Sequence, residues 1–345
     1  MVEKKNGPIL QVKDLKVRFK TDEGTVKAVN GVDFDLNAGG SIGIVGESGC
    51  GKTISAYSIL RILPRTARIV AGQINLTLAD GTVRDLAALK ADGREMRNIR
   101  GQEVSIIFQE PMTAFSPVHS ICNQISEAIR LHQPLNKEQA RQRVIELLSL
   151  VGIADPKGRV DSYPFQLSGG MRQRAMIAMA LACNPRILIA DEPTTALDVT
   201  IQAQVLRLIR GLQRDLNLSL VLITHNLGVI AHMVDHVYVM YLGRVVEAGP
   251  VATVFDAPAH PYTRALLKSV PKLSGNKDRV APIGGSIPDP YSFPRGCAFH
   301  PRCPERVGRI CDVKVPAVTK AGSNHSVCCF LWGDDGVEDD GSNTD

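Results

Sequence analysis

The octapeptide Gly46-Glu47-Ser48-Gly49-Cys50-Gly51-Lys52-Thr53 meets every position of the pattern G-x-x-x-x-G-K-S/T. The apolar run Ser41-Ile42-Gly43-Ile44-Val45 before it reads as a buried strand, and Thr53-Ile54-Ser55-Ala56-Tyr57-Ser58-Ile59-Leu60 after it reads as a helix. A glycine-rich turn placed between a strand and a helix is a phosphate cradle. Its glycines let the backbone curl until N–H groups point inward at phosphate oxygens, and the following helix adds its positive end. Lys52 would neutralise the β and γ phosphates, and the Thr53 hydroxyl would reach Mg²⁺. An ordinary glycine turn has a similar composition but lacks this flanking pattern.

Around this centre, residues 9–36 alternate apolar and polar side chains about Asp22-Glu23-Gly24, the signature of antiparallel strands joined by a turn. The runs Val104-Ser105-Ile106-Ile107-Phe108, Ile187-Leu188-Ile189-Ala190 and Leu218-Ser219-Leu220-Val221-Leu222-Ile223 read as strands buried on both faces. With helices between them they predict an α/β fold built on a mostly parallel sheet. Helical spacing over residues 138–151 and 171–182, the second stopped by Asn184-Pro185, predicts a helical insertion at about 116–183. After Gly249-Pro250 prolines recur and regular structure becomes short, which divides the chain into residues 1–250 and 251–332. Residues 333–345 are acidic and nearly devoid of apolar side chains, as in a disordered tail.

The 345 residues, 44% hydrophobic and 22% charged, have the composition of a globular protein with room for a large core. A formal charge of +5 is modest for this length and does not point to nucleic acid or lipid. No run approaches a membrane span, and Met1-Val2-Glu3-Lys4-Lys5 lacks the apolar core of a signal peptide, so the expected place is the cytosol. Eight cysteines are distributed unevenly: Cys50, Cys122 and Cys183 are scattered, whereas Cys297, Cys303, Cys311, Cys328 and Cys329 crowd together. In a chain without an export signal such crowding points to a metal site before disulfides.

A second anion site is written at Leu167-Ser168-Gly169-Gly170-Met171-Arg172-Gln173, where a Ser-Gly-Gly start leaves N–H groups open at a helix N-terminus. Read alone, Ser168 is an N-cap. One chain cannot easily bring both sites to one nucleotide, so the pair suggests ATP sandwiched between two chains. Asp191, ending its strand, is placed to hold Mg²⁺ through water, and Glu192 beside it is a candidate base for the attacking water.

With these motifs in order, residues 9–250 resemble the nucleotide-binding subunits of ABC transporters, a P-loop NTPase family. The resemblance implies roles for further residues. Gln109 matches the glutamine loop that senses Mg²⁺ and water and touches the membrane subunit; Ala196-Leu197-Asp198 matches the D-loop, with Asp198 at the nucleotide; His225 matches the switch histidine at the γ-phosphate. Phe19 is the expected adenine-stacking aromatic, with Val26 as the alternative. Glu110, Phe115-Ser116 and Asn226 depart from the commonest residues at their positions, and Cys50 stands where Ser is common. Lys52 and the loop amides are expected to lower the Cys50 pKa and make it sensitive to alkylation.

His260-Pro261-Tyr262-Thr263-Arg264-Ala265-Leu266-Leu267 and Cys297-Ala298-Phe299-His300-Pro301-Arg302-Cys303-Pro304 resemble the C-terminal extension of the dipeptide and oligopeptide importers. That resemblance implies a 4Fe-4S cluster on Cys297, Cys303, Cys311 and Cys329, with His325 four positions before the last of them and Cys328 a neighbour. Chemically, four thiolates can staple a proline-rich segment, and zinc accepts the same ligands. The spacings C-x5-C and C-x7-C are unlike short zinc knuckles. The family further implies a second ATPase subunit in a heterodimer, two permease subunits, a solute-binding protein, no nucleic acid, and a peripheral place on the cytoplasmic face of the membrane. The expected function is ATP-driven uptake of di- or oligopeptides. Related importers carry oligosaccharides, nickel or opines, and soluble ABC ATPases act on DNA or ribosomes, usually with two nucleotide domains or a coiled-coil insertion.

Overall fold

The computed structural model describes residues 7–110, 114–195, 197–269 and 283–333. The expected acidic tail from 334 onward and Ala196 of the D-loop motif lie outside the described residues.

Two sheets form the frame. β1 (Leu10–Thr21) and β2 (Gly24–Leu36) make the expected hairpin, with Thr21 opposite Gly24. β4 (Ala67–Thr77) and β5 (Val83–Asp85) extend it to an antiparallel sheet in the order β2-β1-β4-β5. The larger sheet holds β3 (Ser41–Val45), β6 (Val104–Ile107), β7 (Ile187–Asp191), β8 (Ser219–Ile223), β9 (His236–Tyr241), β10 (Arg244–Pro250), β11 (Thr319–Gly322) and β12 (His325–Val327), in the order β11-β12-β10-β9-β3-β8-β7-β6. From β6 to β9 neighbouring strands are parallel. Every residue of β3, β7 and β8 is buried, as parallel strands covered on both faces must be.

Alternation along these strands separates two cores. Ile42, Ile44, Ile187, Ile189, Val221 and Ile223 face the antiparallel sheet and pack with Leu10, Val17, Phe34 and Leu76. Val45, Leu188, Ala190, Leu220 and Leu222 face the other way, toward the helical region and the extension. In that region Ser120 caps Ile121–His132 by accepting from the Asn123 N–H. Asn136 and Gln139 form a reciprocal capping box on Lys137–Leu150, and Ser168 opens a further long helix, Gly169–Ala180. Among the described residues no helix is long and apolar enough to cross a membrane.

The prolines keep elements short after residue 250, yet this part does not stand apart. β12 pairs antiparallel with β10, so the extension lengthens the main sheet. Buried Glu247 accepts from the N–H groups of Ala259 and His260 at 2.7 and 2.9 Å and lies 2.8 Å from His325 Nε2. Tyr241, Tyr262 and Phe299 pack ring to ring at 4.7–5.4 Å between centroids, inside the same core as Val45.

Candidate nucleotide site

The phosphate loop leaves the C-terminal end of β3 and opens the helix Lys52–Ile59. Gly46, Gly49 and Gly51 have φ of 153°, 79° and 99°, and Gly51 is a left-handed N-cap that offers no side-chain acceptor. The helix's first N–H groups therefore remain directed into the loop. A Cβ on Gly46 would lie 2.2 Å from Met240 O, and one on Gly51 would lie 2.3 Å from Ala28 O, so the curl is possible only for glycine. Lys52, buried, donates from Nζ to Gly46 O at 2.8 Å and Glu47 O at 3.0 Å, which holds the ammonium across the loop.

Beneath the loop, the Thr53 hydroxyl donates to Asp191 Oδ1 at 3.1 Å. Asp191 is fully buried and its Oδ2 has no hydrogen-bond partner. Burial is the main cause that pushes its pKa up to about 6; Glu192 adds to the rise, while Thr53 and Lys52 oppose it. An orphaned buried carboxylate oxygen beside a hydroxyl is a donor set for a hard cation, and with the glycine cradle it fits Mg²⁺ and a polyphosphate.

Glu192 follows Asp191 with φ of 44°, a strained turn that aims its carboxylate back over the strand ends. Its Oε2 accepts from Thr195 Oγ1 at 2.9 Å and Gln109 Nε2 at 3.3 Å, and its Oε1 lies 3.2 Å from His225 Nδ1. Gln109, Thr195 and His225, from three separate loops, thus meet at one carboxylate. Gln109 and Glu192 line a cleft of about 390 Å³ with Ser48, Gly49, Gly51, Lys52 and Thr53. Phe19 and Val26, the two alternatives for the adenine contact, both line this cleft and are partners in the β1–β2 register.

Ser168, Gly169 and Gly170 do not join that cleft. Ser168 caps its helix, accepting from Met171 N–H at 3.3 Å, and the glycines sit against Leu197 and Ile201. Asp198 caps the helix Val199–Asp215 by accepting from Ile201 N–H at 2.9 Å. The Ser-Gly-Gly turn and the D-loop aspartate are therefore neighbours on a surface distinct from the phosphate loop.

Cys50 behaves contrary to the sequence expectation. It is 3% exposed, and burial raises its pKa; Lys52, 3.8 Å away, and the amides offset only part of that. Desolvation of the thiolate outweighs the nearby ammonium.

The tail thiols are drawn together. Cys297 N–H donates to Cys311 O at 2.8 Å, and Val307 N–H donates to Cys311 Sγ at 3.3 Å. Burial pushes the Cys297 thiol up to about 11, with Cys311, Cys329 and Cys303 adding to the rise. Cys303 and Cys329 are raised chiefly by burial and also by thiols of the same group, while amides of Phe299, Glu305 and Leu331 oppose the rise at Cys297, Cys303 and Cys329 respectively. Among the described residues, however, no group of three or more His, Cys, Asp or Glu side chains is arranged to hold a metal ion.

Sequence reading missed a set of residues that reach the loop from beyond position 240. The Tyr262 hydroxyl accepts from Glu47 N–H at 2.9 Å, Arg302 pairs with the Glu47 carboxylate at 2.7 Å, and Pro290 and Phe293 line the cleft. Arg302 and Tyr262 lie within the tail motifs, but no local pattern ties them to residues more than two hundred positions earlier.

The fold and this site define an ATP-binding cassette ATPase. The ABC transporter family matches residues 29–195, and the family described as "Oligopeptide/dipeptide transporter, C-terminal region" matches residues 246–311. The dipeptide transport ATP-binding protein DppD of Bacillus subtilis is 49% identical over 94% of this chain and 94% of its own length. The oligopeptide transport ATP-binding protein AppD of the same organism is 45% identical over 96% of this chain and 98% of its own, and the DppD of Escherichia coli is 44% identical over 95% and 98%. A solved structure titled as the dimeric post-hydrolysis state of the ATP-binding cassette MJ0796 bound to ADP and Pi has a TM-score of 0.61 at 24% identity, covering 70% of this chain and 98% of that one. The chain belongs to the ABC transporter family, in the branch that carries the oligopeptide/dipeptide C-terminal region.

Proposed function

We propose that this chain is the ATP-hydrolysing subunit of a membrane importer of di- and oligopeptides. The observation that carries the chemistry is the convergence of Gln109 and His225 on Glu192 at the lip of the phosphate cleft. Glu192 is the base: it takes a proton from water as that water attacks the γ-phosphorus and the bond to the β-phosphate oxygen breaks, releasing ADP and phosphate. Thr53, Asp191 and Gln109 are the residues that would hold Mg²⁺, which neutralises the phosphate charge. His225 fixes the carboxylate and reaches for the γ-phosphate; Lys52 and the amides from Gly46 to Thr53 bind the phosphates. Phe19 takes the adenine. Positioning and charge stabilisation supply nearly all the acceleration.

Ser168, Gly169, Gly170 and Asp198 serve the nucleotide of a second ATPase subunit, since they occupy a surface separate from this chain's own cleft. That subunit is a similar but distinct chain, and the pair docks through the Gln109 region on two permeases, on the cytoplasmic face of the membrane, with a solute-binding protein delivering cargo. The names of the relatives at 44–49% identity support peptides as that cargo. Residues 1–250 form the nucleotide-binding part and residues 251–332 an extension of it.

A 4Fe-4S cluster on Cys297, Cys303, Cys311 and Cys329 is what the family resemblance implies; among the described residues the side chains do not form a metal-holding group, and the support is the approach of Cys297 to Cys311 and the Val307 amide on Cys311 Sγ. Cys328 faces another setting, toward Arg244 and Asp33. Iron and sulfide analysis of anaerobically purified chain tests this: about four irons per chain are expected, and zinc in their place contradicts it.

The function is tested by ATPase assays on the assembled complex. Peptide-loaded binding protein should stimulate hydrolysis, and stimulation by an oligosaccharide- or nickel-loaded binding protein with none by peptide would transfer the cargo to that class.

A further inference from the structure

Two parts of the Cys-rich extension end at the ATP site of their own chain. The side chain of Arg302, only 3% exposed, makes a two-pronged ion pair with Glu47 of the phosphate loop, Nη1 to Oε2 at 2.7 Å and Nη2 to Oε1 at 3.1 Å. The same guanidinium donates from Nε to Gly284 O at 3.0 Å and from Nη2 to Ile283 O at 3.4 Å. It therefore ties the loop to the segment that leads from Ile283 and Gly284 to the cleft-lining Pro290 and Phe293. Farther along that segment, the Tyr291 hydroxyl lies 3.2 Å from Thr21 Oγ1 at the β1–β2 turn, and Lys27 Nζ sits 5.9 Å from the centre of the Phe293 ring. Pro290 and half-buried Phe293 line the same cleft as Phe19, Val26 and Lys52.

We propose that the extension completes the ATP site in cis: Phe293, beside Pro290, is a second wall for the base in the cleft shared with Phe19, and Arg302 is a positioning residue that holds this wall and the phosphate loop at their working spacing. The inference rests on the ATP site alone and is independent of cargo and of any cluster. A base resting on one aromatic ring in an open cleft leaves its other face to water; a second apolar wall removes that face from solvent and rewards a purine over a bare polyphosphate. Arg302 suits its task because only a planar guanidinium can grip a carboxylate with two parallel bonds and still donate to two carbonyls.

The test is calorimetric binding of Mg-ATP and of magnesium tripolyphosphate to the full-length chain. Phe293→Ala should weaken ATP about tenfold while tripolyphosphate stays within about twofold, and Phe293→Tyr should restore ATP binding. Arg302→Gln should weaken both ligands about tenfold, because it releases the loop as well as the wall; its far-UV dichroism should match wild type. ATP binding within about twofold of wild type in Phe293→Ala, or equal weakening of tripolyphosphate in that variant, overturns the proposal. Wild-type chain that binds neither ligand overturns the ATP site itself, and the proposal with it.

Discussion

The phosphate loop and the Cys-rich extension are both irregular backbone, and they are held by opposite means. The loop keeps its shape through glycines at φ of 153°, 79° and 99°, with Gly46 and Gly51 pressed against the carbonyls of Met240 and Ala28. The extension is held by side chains: Arg302 on Glu47, Glu247 on two amides and His325, and three packed aromatic rings. A site built from backbone tolerates almost no added atom. One built from side chains fails piece by piece, each piece by an amount set by the contact it loses. The difference teaches where ATP chemistry is concentrated and where it is only supported.

The nucleotide side should fail hardest. Glu192→Gln keeps the shape of the carboxylate and its bond from Thr195 but cannot accept the proton, so turnover should fall about a hundredfold or more with ATP binding retained, as read by steady-state hydrolysis and equilibrium binding. Near-normal turnover would falsify the base assignment.

Gly51→Ala sharpens the backbone half of the comparison. The new Cβ must adopt a φ of 99° and meet Ala28 O at 2.3 Å, and ATP binding by calorimetry should weaken at least about tenfold. Unchanged affinity would show that the loop is more pliable than its geometry implies.

Asp191 links the site to pH. Its folded pKa of about 6 lies above the ordinary 3.8, so the ionised form costs stability: that cost is absent below about 4 and complete above about 6. Mg-ATP binding needs the ionised form and should fall as pH drops through 6. Asp191→Asn should therefore raise the melting temperature of the ligand-free chain by a few degrees at pH 8, flatten its pH dependence and abolish Mg²⁺-dependent hydrolysis. A lower melting temperature would mean that the carboxylate stabilises the fold.

Cys50→Ser should have the smallest effect. The thiol is buried with a raised pKa, so hydrolysis should stay within about twofold, and iodoacetamide should label Cys50 more slowly than an exposed cysteine at neutral pH. Rapid labelling blocked by ATP would restore the activated thiol that the sequence had suggested.

The same contrast explains what the sequence reveals. Gly46, Gly51, Lys52 and Thr53 are legible because the phosphate loop demands those residue types at fixed spacing, and the strands β3, β7 and β8 are legible because burial on both faces demands apolar runs. Glu192 is legible from its place directly after the buried strand β7, whereas Gln109 and His225 take their roles from family resemblance; the meeting point of the three is a property of parallel strand order, which local pattern does not carry. The hairpin could offer both Phe19 and Val26 for the base because they are register partners, and only the folded chain adds Phe293 to the same cleft. The prolines after residue 250 read as a break in composition, yet β12 on β10 and Arg302 on Glu47 make the break invisible in three dimensions. Cys50 misled because proximity to Lys52 is written in the sequence and depth of burial is not.

The most direct measurement is accumulation of labelled di- and oligopeptides in vesicles that carry this chain with its partner ATPase, permeases and binding protein, with ATP supplied on the side of the ATPase. Uptake that requires ATP and disappears with Glu192→Gln is the predicted result. ATP hydrolysis lost in that variant while peptide uptake continues, or hydrolysis in the wild type with no peptide uptake, would contradict ATP-driven peptide import by this chain.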